Sequence, residues 1–168
     1  MTGKQAVRRR SGCPVSIGLE QIGDRWSLLI IRDLMVRGYN TFKQFQDSGE
    51  GIATNVLANR LRRLRATGII LAEPDECDAR RLNYRLTEKG IDLAPVVLEL
   101  LLWAAKHEQT GAPPELTARM AQNRKQVIAD VRRRWEQRDR TPFLRPFDQA
   151  QAELTRTYRE KRNQHKHK

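Results

Sequence analysis

Apolar residues recur at helical spacing in separate blocks, each ended by glycine or proline. The first block, "VSIGLEQIG", begins near Pro14 and places Ile17, Leu19 and Ile22 before Gly23. In the second, "DRWSLLIIRDLMVRG", Trp26, Leu29, Ile30 and Leu34 share one face of a helical period. Leu28, Ile31 and Met35 cover much of the opposite face, which predicts a helix buried nearly all round and stopped at Gly38. "TFKQFQDSG" offers Thr41 as a cap and spaces Phe42 and Phe45 three apart, a short amphipathic helix closed by Gly49 and Gly51.

The next block, "NVLANRLRRLRATGII", carries four arginines within six residues and no acid. With Leu57 at zero, a helical wheel puts Leu61 near about 40 and Leu64 near about −20 degrees, one narrow apolar stripe. Asn55, Asn59 and Arg62 fall at roughly 160, 200 and 140 degrees, on the far side. Arg63 and Arg65 flank that polar side, and Arg60 lies nearer the buried edge. One face docks on the protein, and the other presents amides and guanidiniums outward.

After Gly68 the period shortens. "IILAE" and "LNYRLT" are strand-like runs around the turn-prone "PDECDARR", which predicts a hairpin. "TEKGIDLAPVVLELLLWAAKHE" predicts a long helix capped by Thr87 and bent at Pro95. In it Leu93, Val97, Leu100 and Leu101 recur at helical spacing, an apolar stripe long for so small a domain. "PELTARMAQNRKQVIADVRRRWEQRD" predicts a further, weakly amphipathic helix that packs lightly, and a polar basic tail follows Thr141.

Charge sharpens this picture. The 168 residues carry a formal net charge of +12, which favours phosphate-rich partners. Residues 101–168 hold sixteen basic and eight acidic residues, so most of the excess lies beyond the predicted core. The two cysteines, Cys13 and Cys77, are too few for a disulfide scaffold, and no Cys/His spacing suggests a metal site. His107, His165 and His167 have no catalytic companions, and no phosphate loop or nucleophile elbow occurs. No cofactor and no enzyme activity are expected. The basic N-terminus lacks an apolar stretch behind it, and the longest apolar run is too short to span a bilayer. The expectation is a cytoplasmic chain with no membrane partner.

Three short helices, a basic helix and a hairpin, in that order, predict a mainly α winged helix-turn-helix with a small β-hairpin. In such modules the basic helix enters the major groove, where Asn suits adenine and Arg suits guanine. The candidate DNA-facing residues of that helix are Thr54, Asn55, Ala58, Asn59, Arg62, Arg63 and Arg65, with Asn59 and Arg62 toward bases and Arg63 and Arg65 toward phosphates. Arg80 and Arg81 are the candidates on the wing.

The Cys-Pro opening at Cys13, the Ile-Gly-Asp-Arg-Trp segment, the Phe-x-x-Phe helix, Leu-x-x-Arg-Leu and Tyr-x-Leu-Thr-x-x-Gly stand together in order. Over about residues 11–106 the chain resembles the HxlR-type winged helix-turn-helix transcriptional regulators. The resemblance implies a bacterial DNA-binding regulator that is a homodimer, with terminal helices forming the dimer interface. Ala53 stands where many members have Ser, which leaves the helix cap to Thr54 or to the Ala53 backbone.

The expected organisation is a basic arm over 1–12, a winged domain with its dimerisation helix over 13–106, and a basic helical extension and tail over 107–168. The expected partners are double-stranded DNA carrying an inverted-repeat operator and a second copy of the chain. That copy would pair through Leu93, Val97, Leu100 and Leu101, joined by the Val15–Ile22 helix. Two alternatives concern the effector. Cys13 follows Arg8, Arg9 and Arg10, whose charge favours a thiolate, and some relatives sense oxidants or electrophiles with a cysteine at this position. A small-molecule pocket near the dimer helices is the other.

Overall fold

The structure is a computed structural model that describes residues 11–75, 78 and 80–143. The arm with Arg8, Arg9 and Arg10, the wing residue Cys77, and the tail with His165 and His167 lie outside the described residues. The described residues divide into two compact units, the first running up to Leu34 and then over Tyr39–Gly90, the second taking Met35–Gly38 and the described residues from Ile91 on.

In the first unit, α1 (Pro14–Ile22) begins on a proline, which suits a first helical turn that has no N–H partner anyway. Asp24 caps α2 (Arg25–Arg32) by accepting the Ser27 N–H. A π-helical turn over Asp33–Arg37 then replaces the single α-helix expected as far as Gly38. Thr41 and Gln44 form a reciprocal capping box on α3 (Phe42–Gln46). A turn leads into α4 (Thr54–Ala66), and Gly68 ends it in the left-handed region at φ 70°. There the Ile69 N–H reaches back to the Leu64 carbonyl at 2.9 Å, a closure that a side chain at Gly68 would strain.

Strands β1 (Ile70–Pro74) and β2 (Leu82–Leu86) pair antiparallel, with Ile70 opposite Leu86 and Pro74 opposite Leu82. The core of this unit gathers Ile30 and Ile31 from α2, Phe45 from α3, Leu57, Leu61 and Leu64 from α4, and Ile69, Ile70 and Leu86 from the hairpin region. Every leucine of the predicted α4 stripe is therefore inside.

Beyond the hairpin the chain differs from the pattern-based expectation in two places. The long helix is broken into α5 (Glu88–Ile91) and α6 (Ala94–His107). Thr87 caps only the short α5, accepting the Gly90 N–H at 3.1 Å. Pro95 occupies the first turn of α6, where its missing N–H costs nothing, so it starts a helix instead of bending one. The expected extension helix is also two, α7 (Pro114–Gln122) and α8 (Arg124–Glu136), separated at Asn123. These do more than lie lightly alongside. Met120 of α7 is buried with Leu98 and Leu102 of α6, and Leu101, Leu116, Val127, Ile128 and Phe143 pack against that cluster. At the other end, a Cβ on Gly38 would run into the Arg140 carbonyl, and the Phe143 N–H donates to the Val36 carbonyl at 2.8 Å.

Candidate nucleic-acid interface

The polar side of α4 is as open as its apolar side is closed. Thr54, Asn55, Asn59, Arg62, Arg63 and Arg65 are exposed and Ala58 is half-buried, while Leu57, Leu61 and Leu64 are buried. The helix starts without a side-chain cap, because Ala53 at the cap position has no hydroxyl to offer. Thr54 instead uses its hydroxyl to accept from Gln46 Nε2 at 2.7 Å, a bond that ties the end of α3 to the start of α4. Arg32 holds the preceding turn, bonding both Glu50 (2.9 Å) and the buried Asp33 (2.7 Å).

The four arginines of α4 are not equivalent. Arg62 has no hydrogen-bond or ion-pair partner among the described residues. Arg65 lies close enough to Tyr84 of β2 for its charge to oppose the upward push that burial gives the phenol. Arg63, expected to lean toward phosphate, donates to the backbone carbonyl of Glu20 at the end of α1. Arg60 turns inward, its Nε donating to Asp24 Oδ1 at 2.7 Å and its Nη1 to Asn59 Oδ1 at 3.0 Å. Position on the wheel signals Arg60's inward turn, but nothing local in the sequence signals its partner Asp24.

The wing is anchored from its base. Asn40 Nδ2 donates to Asn83 Oδ1, and Asn83 Nδ2 donates to Asp75 Oδ2, both at 2.8 Å. The Tyr84 N–H adds a bond to the Asn40 carbonyl at 2.7 Å. Arg80 and Arg81 are both exposed at the far end. Arg81 is paired loosely with Asp78 at 3.3 Å, and its side chain is open enough to exchange that partner for another.

Cys13 is an exposed free thiol at the cap position of α1. Its side chain forms no cap hydrogen bond, yet the Ser16 and then the Val15 backbone N–H groups lower its pKa below the ordinary thiol value. Among the described residues the shift comes from these helix-start amides, and Arg8, Arg9 and Arg10, to which the sequence points, lie outside the described residues. Each unit also leaves apolar side chains uncovered. In the first, these are Val15 and Leu19 of α1. In the second, Val96 (48% exposed), Leu100 (49%) and Trp103 (57%) form one stripe on α6. The expected set of Leu93, Val97, Leu100 and Leu101 divides: Leu100 belongs to this stripe, Leu93 and Val97 are half-buried, and Leu101 packs inward on the α7–α8 cluster.

Known proteins share this arrangement. The HxlR-like helix-turn-helix family matches residues 21–112. Rv3095 of Mycobacterium tuberculosis, an HTH-type transcriptional regulator, is 34% identical over 111 residues, which cover 66% of this chain and 69% of that protein. Among solved structures, PA1607 is 40% identical with a TM-score of 0.56, over 63% of this chain and 71% of its own. The redox regulator HypR in its oxidised form is 30% identical with a TM-score of 0.52, over 58% of this chain and 100% of its own. No helix among the described residues is long and apolar enough to cross a membrane. The capped helices, the α4 seated on its leucines and the hairpin behind it are thus a winged helix-turn-helix, and the chain belongs to the HxlR-like helix-turn-helix family of transcriptional regulators, which are not enzymes.

Proposed function

We propose that the chain acts in the cytoplasm as a homodimer on double-stranded DNA, each copy placing α4 in the major groove at one half of an inverted repeat, the halves about 34–36 Å apart. The observation that carries this reading is the division of α4. Its leucines are buried, and its outward side offers Asn55, Asn59, Arg62 and Arg65 with no acid anywhere on the helix. Amides and guanidiniums are the groups that match base edges and phosphates, and an unpaired cation such as Arg62 gives up no partner on binding. Thr54 and Ala58 border the same face, and Arg80 and Arg81 on the wing reach toward neighbouring phosphates. Pairing of two copies would cover Val96, Leu100 and Trp103 on α6, with α1 joining through Val15 and Leu19. In this reading residues 13–106 supply the DNA-binding module with its dimer helix, and 107–168 an extension of it.

The test is enrichment of a random duplex library by the full chain, followed by titration of the selected duplex. Asn59→Ala and Arg62→Ala should each weaken the selected duplex by about 1–3 kcal/mol and random DNA much less. Unchanged affinity in both variants would remove α4 from the contact surface.

A second reading concerns the effector. Cys13 is exposed, and the start of α1 favours its thiolate. HypR, a redox regulator, matches over its full length. We infer that a peroxide or electrophile acting at Cys13 alters DNA occupancy. Cys13→Ser should abolish any oxidant-dependent change in DNA affinity, whereas a response that survives in Cys13→Ser would sink this reading.

A further inference from the structure

Asp24 and Arg60 lie 36 residues apart in sequence and meet where α2 begins beside α4. Asp24 is held on its own side by the Ser27 N–H at 3.1 Å and the Ser27 hydroxyl at 2.6 Å. Arg60 Nε donates to Asp24 Oδ1 at 2.7 Å, and the two side chains keep only 26% and 25% of their exposure. The remaining reach of the guanidinium is directed at Asn59, whose Oδ1 accepts from Nη1 at 3.0 Å.

A guanidinium has donors and no acceptor. The Asn59 atom that faces it is therefore the carbonyl oxygen, which fixes the flip of the carboxamide. Nδ2 is left on the other branch as a donor, and Oδ1 keeps a second lone pair. Asn59 itself is exposed. An exposed asparagine that can flip offers either atom to a base. One that cannot flip presents a defined donor and a defined acceptor.

We propose that Asp24 and Arg60 are positioning residues that hold the Asn59 carboxamide in a single flip for an adenine edge, with Nδ2 donating to N7 and Oδ1 accepting from N6. The proposal rests on the DNA-binding reading above. Adenine is the base whose major-groove edge offers both partners. Guanine presents two acceptors there, thymine an acceptor and a methyl group, and cytosine a donor. Arg60 accordingly does not contact DNA.

The experiment uses the full chain and a duplex it selects from a random library, with each base pair then replaced in turn. Asn59→Ala is expected to erase an adenine preference at one position of each half-site, a change of roughly 5- to 150-fold. Arg60→Lys keeps the charge, and Asp24→Ser keeps a capping oxygen for α2. Both should weaken the preference at that same position while leaving random-duplex affinity and the salt slope as they were. Asn59→Ala combined with Arg60→Lys should lose no more than Asn59→Ala alone, since Arg60 acts through Asn59. In the DNA-free chain, the Asn59 side-chain amide resonances should move on Arg60→Lys. If Asp24→Ser does not fold, Arg60→Lys carries these comparisons. An adenine preference intact in Arg60→Lys, losses that add in the double variant, or amide resonances unmoved in the free chain would each overturn the proposal. A natural chain that enriches no sequence, although the free-chain resonances move, would sink the DNA reading and the adenine assignment while leaving the geometry in place.

Discussion

The Arg63 guanidinium donates to the backbone carbonyl of Glu20, so α4 grips the last turn of α1. Lys89 makes a second tie, its Nζ donating to Gln21 Oε1 at 2.7 Å and to the Thr67 carbonyl at 2.8 Å. Helix ends leave carbonyls without partners and carry a partial negative charge, so cationic donors belong there. A charge that looks available for phosphate is partly committed to holding the fold.

Arg63→Ala should therefore lower stability by about 1 kcal/mol, the usual scale for a hydrogen bond of this kind. Arg62→Ala, one helical step away, should stay within about 0.5 kcal/mol of the natural chain, because Arg62 has no internal partner to lose. Urea unfolding at equilibrium separates the two. Equal midpoints for both variants would mean that water breaks the Arg63 bond in solution.

The α6 face gives a paired prediction. Leu100 is half exposed and belongs to the stripe of Val96 and Trp103, whereas Leu101 packs on the cluster of Leu98, Leu102 and Met120. If two copies pair through this stripe, the natural chain should sediment as a dimer and Leu100→Asp as a folded monomer. Leu101→Asp would bury a carboxylate without a partner and should reduce helix content and stability outright. Sedimentation velocity and circular dichroism of both variants test this. A Leu100→Asp chain that still sediments as a dimer would place the interface elsewhere.

What the sequence reveals follows the range of the forces involved. The leucine spacing of α4 and the Gly68 stop are local, and the buried stripe of that helix is legible in the sequence, whereas the tie from Arg63 to Glu20 is not. Pro95 was legible as a disruption but not as a helix start, since a proline serves either role and tertiary packing decides. The π-helical turn at Asp33–Arg37 leaves the apolar pattern almost unchanged, so periodicity does not register it. The division at Asn123 is similar, because the apolar spacing continues across it. The inward role of Arg60 depends on Asp24, and a pairing over 36 residues leaves no periodic trace.

The Asp24 carboxyl predicts a pH dependence. Burial alone would raise its pKa, but the Ser27 hydroxyl and amide together with Arg60 outweigh that and leave it below the ordinary value. A carboxyl depressed in the folded state stabilises the fold above its unfolded value, about 3.9, and that stability is lost as pH falls through the folded value. Asp24→Ser should thus be less stable than the natural chain at neutral pH, with the difference shrinking below about pH 4. Urea midpoints across that range check the sign. A gap that stays constant through the acid range would remove Asp24 from the linkage.

The basic extension yields the last prediction. Its sequence suggests a nonspecific anchor on flanking DNA, with "RRRW" as the densest cluster of charge. In the folded second unit these arginines face acids of that unit: Arg124 meets Glu99 at 2.7 Å, Arg132 meets Asp92 at 2.8 Å, Arg133 meets Asp130 at 2.8 Å and Arg134 meets Asp139 at 3.1 Å. Such exposed pairs are individually weak, worth about 1 kcal/mol or less. Their effect on the external field is larger than their effect on stability, because each cation is offset by a nearby anion. On α4, by contrast, no acid occurs between Thr54 and Ala66. Each phosphate neutralised steepens log K against log salt by roughly 0.9. Arg65→Ala, at the exposed position expected to lean toward phosphate, should accordingly flatten the slope by about one such step, and Arg132→Ala with Arg133→Ala should leave it nearly unchanged. Titration of one selected duplex with the full-length variants from low to moderate salt makes the comparison. A slope that falls as far for the α8 pair as for Arg65 would make the extension a DNA contact, and would mean that its arginines leave their acids when phosphate is near.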